Sequence, residues 1–342
     1  VRVVAPGIVI GLSAVVFGLR RGELRALTVR PHDLRTGRPS TLTGLPFGPF
    51  DPEGHRTFEL ALRAFVARQT GFDLGYVEQL YTFGDEGRDA PLADAGPAGA
   101  GARIVSVGYL ALTDSAPDLP QADTRWTPVI DAFPWEDWRR GRPAVFAERV
   151  EPALRAWAGV DPARRARAAA LFALDQSRWN EERVLDRYEL LYEAGLAPEA
   201  ARDRALADSG AAADPALDVA LGCPMISDHR RILATGLGRL RGKLKYRPVV
   251  FDLMPGEFTL SALQRTVEAV SGVALHKQNF RRMVERTDLA EPLGRYDADT
   301  GGRPAELHRR RSPAPGVSAT GFSLPPSSPG EAGGGGRPAQ TD

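Results

Sequence analysis

Residues 258–285 read FTLSALQRTVEAVSGVALHKQNFRRMVE, two helical segments hinged on Gly272. In the first, Leu260, Leu263, Val267 and Val270 recur at the helical period and predict a buried stripe. Thr259 or Ser261 is placed to cap the first free amides, and Ser261 with Gln264 three residues on forms a capping box. The second segment, from about His276 to Arg286, buries Phe280, Met283 and Val284 and projects Lys277, Gln278, Arg281 and Arg282 from its other side. Two helices joined by a short turn, the second one basic and amide-bearing, meet the requirement of a helix-turn-helix. The amide and guanidinium groups can meet base edges while the other cations hold phosphates. Downstream, LAEPLGRY and RPAELHRRR flank the turn residues DADTGG and predict a hairpin, or wing, with Arg303 near its tip. The same pattern also fits a small module that contacts protein.

Charge is distributed to match. The chain of 342 residues has a net charge of +1, yet residues 228–311 hold 17 Lys and Arg against 10 Asp and Glu, while residues 1–227 hold 26 against 31. Such an asymmetry suggests that one part meets a polyanion, or that it carries an ordinary solvated basic face. A single cysteine, Cys223, and five scattered histidines offer neither an internal disulfide nor metal-ligand spacing, which fits a reducing cytoplasm and no zinc.

Upstream, the apolar run APGIVIGLSAVVFGL at 5–19 is too short to span a bilayer and lacks a preceding basic stretch, so it reads as a buried strand and not a signal. The runs VVAPGIVI, SAVVFGL and ELRALTV, with a turn at Arg21-Gly22, predict strands of a mixed sheet. A helix follows from Thr57 to Thr70, with Phe58, Ala61, Leu62, Phe65 and Val66 on one stripe and Gly71 as its stop. EQLYTFGD and ARIVSVGYLAL supply further strands, separated by the flexible insertion PLADAGPAGAG. Residues 161–247 are rich in Ala, Leu, Arg and Glu and predict helices with a break around 209–216. In the last of these, 228–245, Ile232, Leu233, Leu237 and Leu240 lie on one face and Arg230, Arg241 and Lys245 elsewhere, an amphipathic helix suited to joining domains or pairing with a second copy. The tail after Ser312 is Pro/Gly/Ser-rich and reads as disordered.

The FTL-S-x-LQ of Phe258, Thr259, Leu260, Ser261, Leu263 and Gln264, the NFRR of Asn279 to Arg282 and the GRPA of Gly302 to Ala305 resemble the C-terminal winged helix of the Nudix-related transcriptional regulators of NAD metabolism. QLYTFGD at 79–85, Arg88-Asp89 and IVSVGYLAL at 104–112 are similar to words of that family's Nudix-like domain. FPWEDWRRGRP at 133–143 and DHRRILATGLGRLRGKLKYRPVVFDLMP at 228–255 resemble an alphaproteobacterial branch with an extra helical region. The resemblance implies an α+β multidomain chain: a Nudix-like α/β/α sandwich over 1–158, a helical linker or dimerisation region over 159–247, a winged helix-turn-helix over 248–311 and the tail 312–342. It implies operator DNA as one partner, a second copy as another, and ADP-ribose, NAD or another adenine nucleotide as effector, with no membrane attachment.

An active Nudix box, G-x5-E-x7-R-E-U-x-E-E-x-G-U, sets glutamates on one helix face to hold magnesium. Anchored on Gly71, this chain offers Arg56, Ala64, Phe65, Arg68 and Gln69 at the upstream glutamate, the arginine and the three helix glutamates in turn. A face with no carboxylate and a guanidinium does not hold a divalent cation, so no catalytic residue is assigned. The rival is a hydrolase with relocated ligands, for which Glu53, Glu59 and Glu78 are the candidates. Phe47 and Gly48 in the loop LPFGPFDPEG, which resembles the family's LPGGFV loop, Arg56, Arg68, Arg88 and Asp89 are the expected effector contacts, with Arg68 pairing the diphosphate directly. Trp135, Trp138 and Arg139 either line that pocket or anchor a loop, the packing role being the commoner for tryptophan. On the DNA side, Arg265, Lys277 and Arg303 are expected on phosphates and Gln278, Asn279, Arg281 or Arg282 on bases, with Asn279 alternatively bracing the unit. Thr259, Ser261, Gln264 and His276, at the helix starts, complete the expected DNA-facing set.

Overall fold

The computed structural model describes residues 8–32, 38–85, 103–209, 221–297, 304–311 and 321–322. The apolar run near the start is one long strand, β1 (Ile8–Arg20), as the reading of 5–19 as a single buried strand had it; SAVVFGL and the end of VVAPGIVI are parts of that strand. Arg21 and Gly22, at φ 53° and 77°, turn it into β2 (Glu23–Val29), the two-residue turn whose twist matches a hairpin. β3 (Phe47–Pro49) pairs with the first half of β1. After α1 (Phe58–Thr70) come β4 (Val77–Phe83), β5 (Arg103–Leu112) and β6 (Thr124–Pro128). The strand order is β4-β5-β1-β2-β6, with β3 beside β1. β1 and β5 run parallel, and the other pairs are antiparallel. β6 escapes sequence reading because TRWTP offers one large apolar residue and no alternating run to detect.

Alternation along β1 sends Leu12, Ala14 and Val16 to one face, where Ala61, Leu62, Phe65 and Val66 of α1 cover them. Thr57 caps α1 through the Leu60 amide, and Gly71 ends it in the left-handed conformation at φ 68°. The expected stripe and both ends are therefore present. Val15 and Phe17 face the other way, toward a second core.

That second face is covered from far along the chain. The middle region contains α2 (Val129–Ala132), a 3-10 turn at Pro134–Glu136, α3 (Glu151–Ala158), α4 (Pro162–Phe172), α5 (Val184–Glu193), α6 (Pro198–Ser209) and α7 (His229–Tyr246). α7 lies directly on the sheet: a Cβ added at Gly236 would stand 2.8 Å from Val15 Cγ1. The sandwich thus takes its second helical layer from a helix that the sequence placed in a linker or at a dimer contact. α7 is also not amphipathic in use, since Arg230, Arg241 and Lys243 are buried together with its leucines. The sequence misleads here because each buried cation finds acceptors on distant segments. Arg230 donates to the carbonyls of Ala132 and Leu221 and pairs with Glu199 at 3.2 Å.

The last unit consists of β7 (Glu257–Thr259), α8 (Leu260–Ser271), α9 (Lys277–Thr287), β8 (Ala290–Asp297) and β9 (Ala305–Arg310). Its sheet runs β7-β9-β8, the helix-turn-helix and wing that the sequence predicts. Its buried residues Phe258, Leu263, Val267, Phe280 and Met283 belong to the same core as the second face of the large sheet. One tail residue joins them. Phe322 is fully buried, stacked on Phe280 with centroids 6.0 Å apart and near Phe251. Phe322 is a lone aromatic in the Pro/Ser/Gly-rich tail, and composition averages such a residue away. The break at 209–216, apart from Ser209, and the insertion at 91–101 lie outside the described residues. Among those that are described, no helix is long and apolar enough to cross a membrane.

Candidate functional site

The exposed face of α9 is the first candidate. Phe280, Met283 and Val284 anchor the helix on α8, which leaves Lys277, Gln278, Asn279, Arg281 and Arg282 in solvent. Gln278, Arg281 and Arg282 share one face at i, i+3 and i+4. No ion pair is formed by Arg265, Lys277, Arg281 or Arg282 among the described residues, whereas the wing cations Arg295, Arg309 and Arg311 pair with Glu257, Glu291 and Asp288. His276 is the exposed N-cap residue of α9 and makes no capping bond. Arg303 lies outside the described residues.

Two expected contacts have internal work instead. Thr259, not Ser261, is the N-cap of α8, and its buried hydroxyl accepts from the Ala262 amide at 3.1 Å. The helix starts one residue after Thr259, so the expected capping box is displaced and Ser261 sits within the first turn, half-buried. Gln264 spans the hinge, its amide donating to the Leu275 carbonyl at 2.8 Å and to Glu268 at 3.0 Å. Thr259 thus starts α8, and Gln264 ties it to the segment that leads into α9.

The second candidate is the sheet end carrying β3. Gln69 accepts from the Phe47 amide at 3.2 Å and donates to the Phe47 carbonyl at 2.7 Å, tying α1 to the loop. Gly48 lies over Phe65, which is 2% exposed: a Cβ there would sit 3.3 Å from the ring. The residue at the first glutamate position is thus core, and that at the last is a loop brace. Arg56 and Arg68 are exposed at opposite ends of α1; Arg88 and Asp89 lie outside the described residues. Glu59 pairs with Arg63 at 2.8 Å, Glu78 with Lys243 of α7, and Glu53 stands apart in the loop. Among the described residues no three His, Cys, Asp or Glu side chains gather where a metal ion could sit.

Sequence reasoning missed what faces Phe47. His229, at the start of α7, sets its ring edge-on to Phe47 at 4.9 Å and accepts the Leu45 amide on Nδ1 at 2.9 Å. Burial, with help from the Arg202 charge, pushes this imidazole down to about 3, so it is neutral. A space of only about 10 Å³ remains between Ser13, Phe47, Ser106 and His229. No local signal marks His229, because its partners come from the opposite end of the chain.

Trp135 and Trp138 are buried in packing roles, as the commoner alternative had it. Between them Glu136 receives Arg187 of α5 at 2.6 Å and Arg241 of α7 at 2.5 Å. Burial alone would raise its carboxyl, but the charges of Arg187 and Arg241 outweigh that and hold it below the usual range.

Residues 250–309 match the family described as the NrtR DNA-binding winged helix domain. The ADPR responsive transcriptional repressor NtrR of Acinetobacter baylyi is 35% identical over 99 residues, 27% of this chain and 37% of that protein. The match thus spans little more than a third of the relative's length. The crystal structure of Shewanella oneidensis NrtR aligns with a TM-score of 0.51 at 21% identity, covering 93% of this chain and 99% of that one. Its complex with a 27mer DNA aligns at 0.49 and 21%, covering 88% and 93%. Over residues 250–309 this chain is therefore matched to the NrtR winged helix, and along nearly its whole length it shares the fold of a solved NrtR protein.

Proposed function

We propose that this chain is a DNA-binding transcriptional regulator, acting as a repressor of NAD synthesis or salvage genes, whose Nudix-like sheet senses an adenine nucleotide without hydrolysing it. The observation that carries the reading is the unmatched positive charge of α8 and α9: four cations without acid partners among the described residues flank a glutamine and an asparagine on the exposed side of a helix-turn-helix. Phosphates need the cations and base edges need the amide and guanidinium forks. Arg265 and Lys277 are assigned to phosphates, and Gln278, Asn279, Arg281 and Arg282 to bases. ADP-ribose is the effector of choice because the Acinetobacter baylyi relative is named as responsive to it. The nucleotide is placed beside β3, with Arg68 on the diphosphate. A dimer reading a palindromic operator and a cytoplasmic setting complete the proposal.

The test is a gel shift of the full chain on promoter DNA upstream of NAD genes, with ADP-ribose, NAD, ATP and nicotinamide mononucleotide added in turn. Specific retention is expected without ligand, steeply weakened by salt, and released by ADP-ribose. Arg281→Ala should cost about 1–3 kcal/mol if it meets a base, whereas Lys277→Ala should weaken all sequences alike. Absence of specific retention without ligand would refute the reading. Incubation with ADP-ribose and magnesium should release no AMP.

A further inference from the structure

A cavity of about 600 Å³ lies at the other end of the sheet from β3. Its volume falls within the roughly 300–1,000 Å³ of small-molecule sites. One wall is the β1–β2 turn at Arg21 and Gly22; the stretch after the 3-10 turn brings Arg139 and Arg140; Leu24, Val129 and Leu237 form an apolar floor. The remaining wall is the end of α8, Ala269 and Gly272.

The charged groups here are unevenly matched. Arg139 forks Asp137 with bonds of 2.8 and 2.7 Å and reaches the Gly22 carbonyl at 3.4 Å. This uses three of its five N–H groups and leaves two. Glu136 is taken by Arg187 and Arg241, and Glu23 by Arg25 at 2.7 Å. Arg21 and Arg140, both exposed, have no acid partner among the described residues. Every lining carboxylate is therefore already held by an arginine, and two whole guanidinium forks remain at the mouth over an apolar floor.

We propose that this cavity binds a small metabolite carrying phosphate or carboxylate groups, its oxyanions gripped by Arg21, Arg139 and Arg140 and its less polar part resting on Leu24, Val129 and Leu237. Guanidinium forks of this kind suit planar and tetrahedral oxyanions bidentately. The site is separate from the nucleotide site beside β3. Its occupant touches both the sheet and the reading unit, because the Trp138 amide donates to the Gly272 carbonyl at 2.6 Å and Arg241 Nε to the Val270 carbonyl at 2.9 Å.

Calorimetric titration of the full chain with inorganic phosphate, glycerol 3-phosphate and citrate, none of which carries the adenine or the diphosphate of the β3 site's ligand, tests this. One equivalent per chain is expected for at least one probe, with affinity at least tenfold weaker in Arg21→Ala and Arg140→Ala and unchanged in Arg68→Ala. Tightest binding of phosphate or glycerol 3-phosphate assigns a phosphate ligand, and tightest binding of citrate a carboxylate one. Both replaced side chains are exposed, so unaltered melting curves should accompany the loss. No heat with any probe, or wild-type affinity in both variants, would overturn the proposal. Loss only in Arg68→Ala would also overturn it while leaving the β3 nucleotide site standing.

Discussion

His229 is neutral because of where it sits, and that has a cost in acid. The folded chain keeps the ring unprotonated down to about pH 3, whereas the unfolded chain takes up a proton near pH 6.5. Between these values the unfolded state binds more protons, so stability falls as pH drops through 6.5 toward 3, by roughly 1 kcal/mol per pH unit from this group. Urea melts at pH 7.5, 6.0 and 5.0 should show that loss in the wild type and a shallower one in His229→Asn, which keeps an acceptor for Leu45. An equal slope in both would show that other groups set it. The neighbouring positions of α1 were readable by residue type: Phe65 and Gly71 suited a core helix and its stop, and each took that place. His229 was not readable, because the amide and ring that explain it stand 184 residues and a similar distance away in sequence.

At the scale of elements, α7 decides the layer structure. Its apolar stripe was plain in the sequence, but its location was not, since a helix with leucines on one side and cations on the other usually lies at a surface. What reverses the expectation is a set of nonlocal acceptors, Ala132, Leu221, Glu199 and Glu136, that satisfy Arg230 and Arg241 inside. Gly236 is the other half of the explanation, for it lets the helix backbone approach Val15. Gly236→Val should force the helix off the sheet and cost about 1–3 kcal/mol, seen as a lower urea midpoint. An unchanged midpoint would mean that α7 can rise from β1 freely. The winged helix was the most legible element because its hydrophobic period, hinge glycine and wing turn are all local, whereas the cap at Thr259, the short strand β7 and the bracing by Gln264 required the structure.

On the scale of the whole molecule, one core runs from Val15 and Phe17 through α7 to Phe280 and Phe322. Truncating Phe322 to alanine should destabilise the reading unit by about 3 kcal/mol, the lower part of the range for buried phenylalanine. Hydrogen exchange should report this as faster exchange in α9 with α1 unaffected; equal protection of α9 in variant and wild type would show that the tail contact contributes nothing. Length and charge asymmetry indicated several units, but nothing in the composition indicated that they share an interior. Glu136 and its neighbour stitch that interior together. The Glu136 carboxylate serves α5 and α7, while Trp138 holds the hinge of the reading unit through Gly272. A winged helix borrowed from another protein would leave these partners behind, so the two halves of this chain can diversify by substitution far more readily than by exchange. Their ancestry should therefore be shared along the full length, with recombination breakpoints scarce between residues 136 and 272.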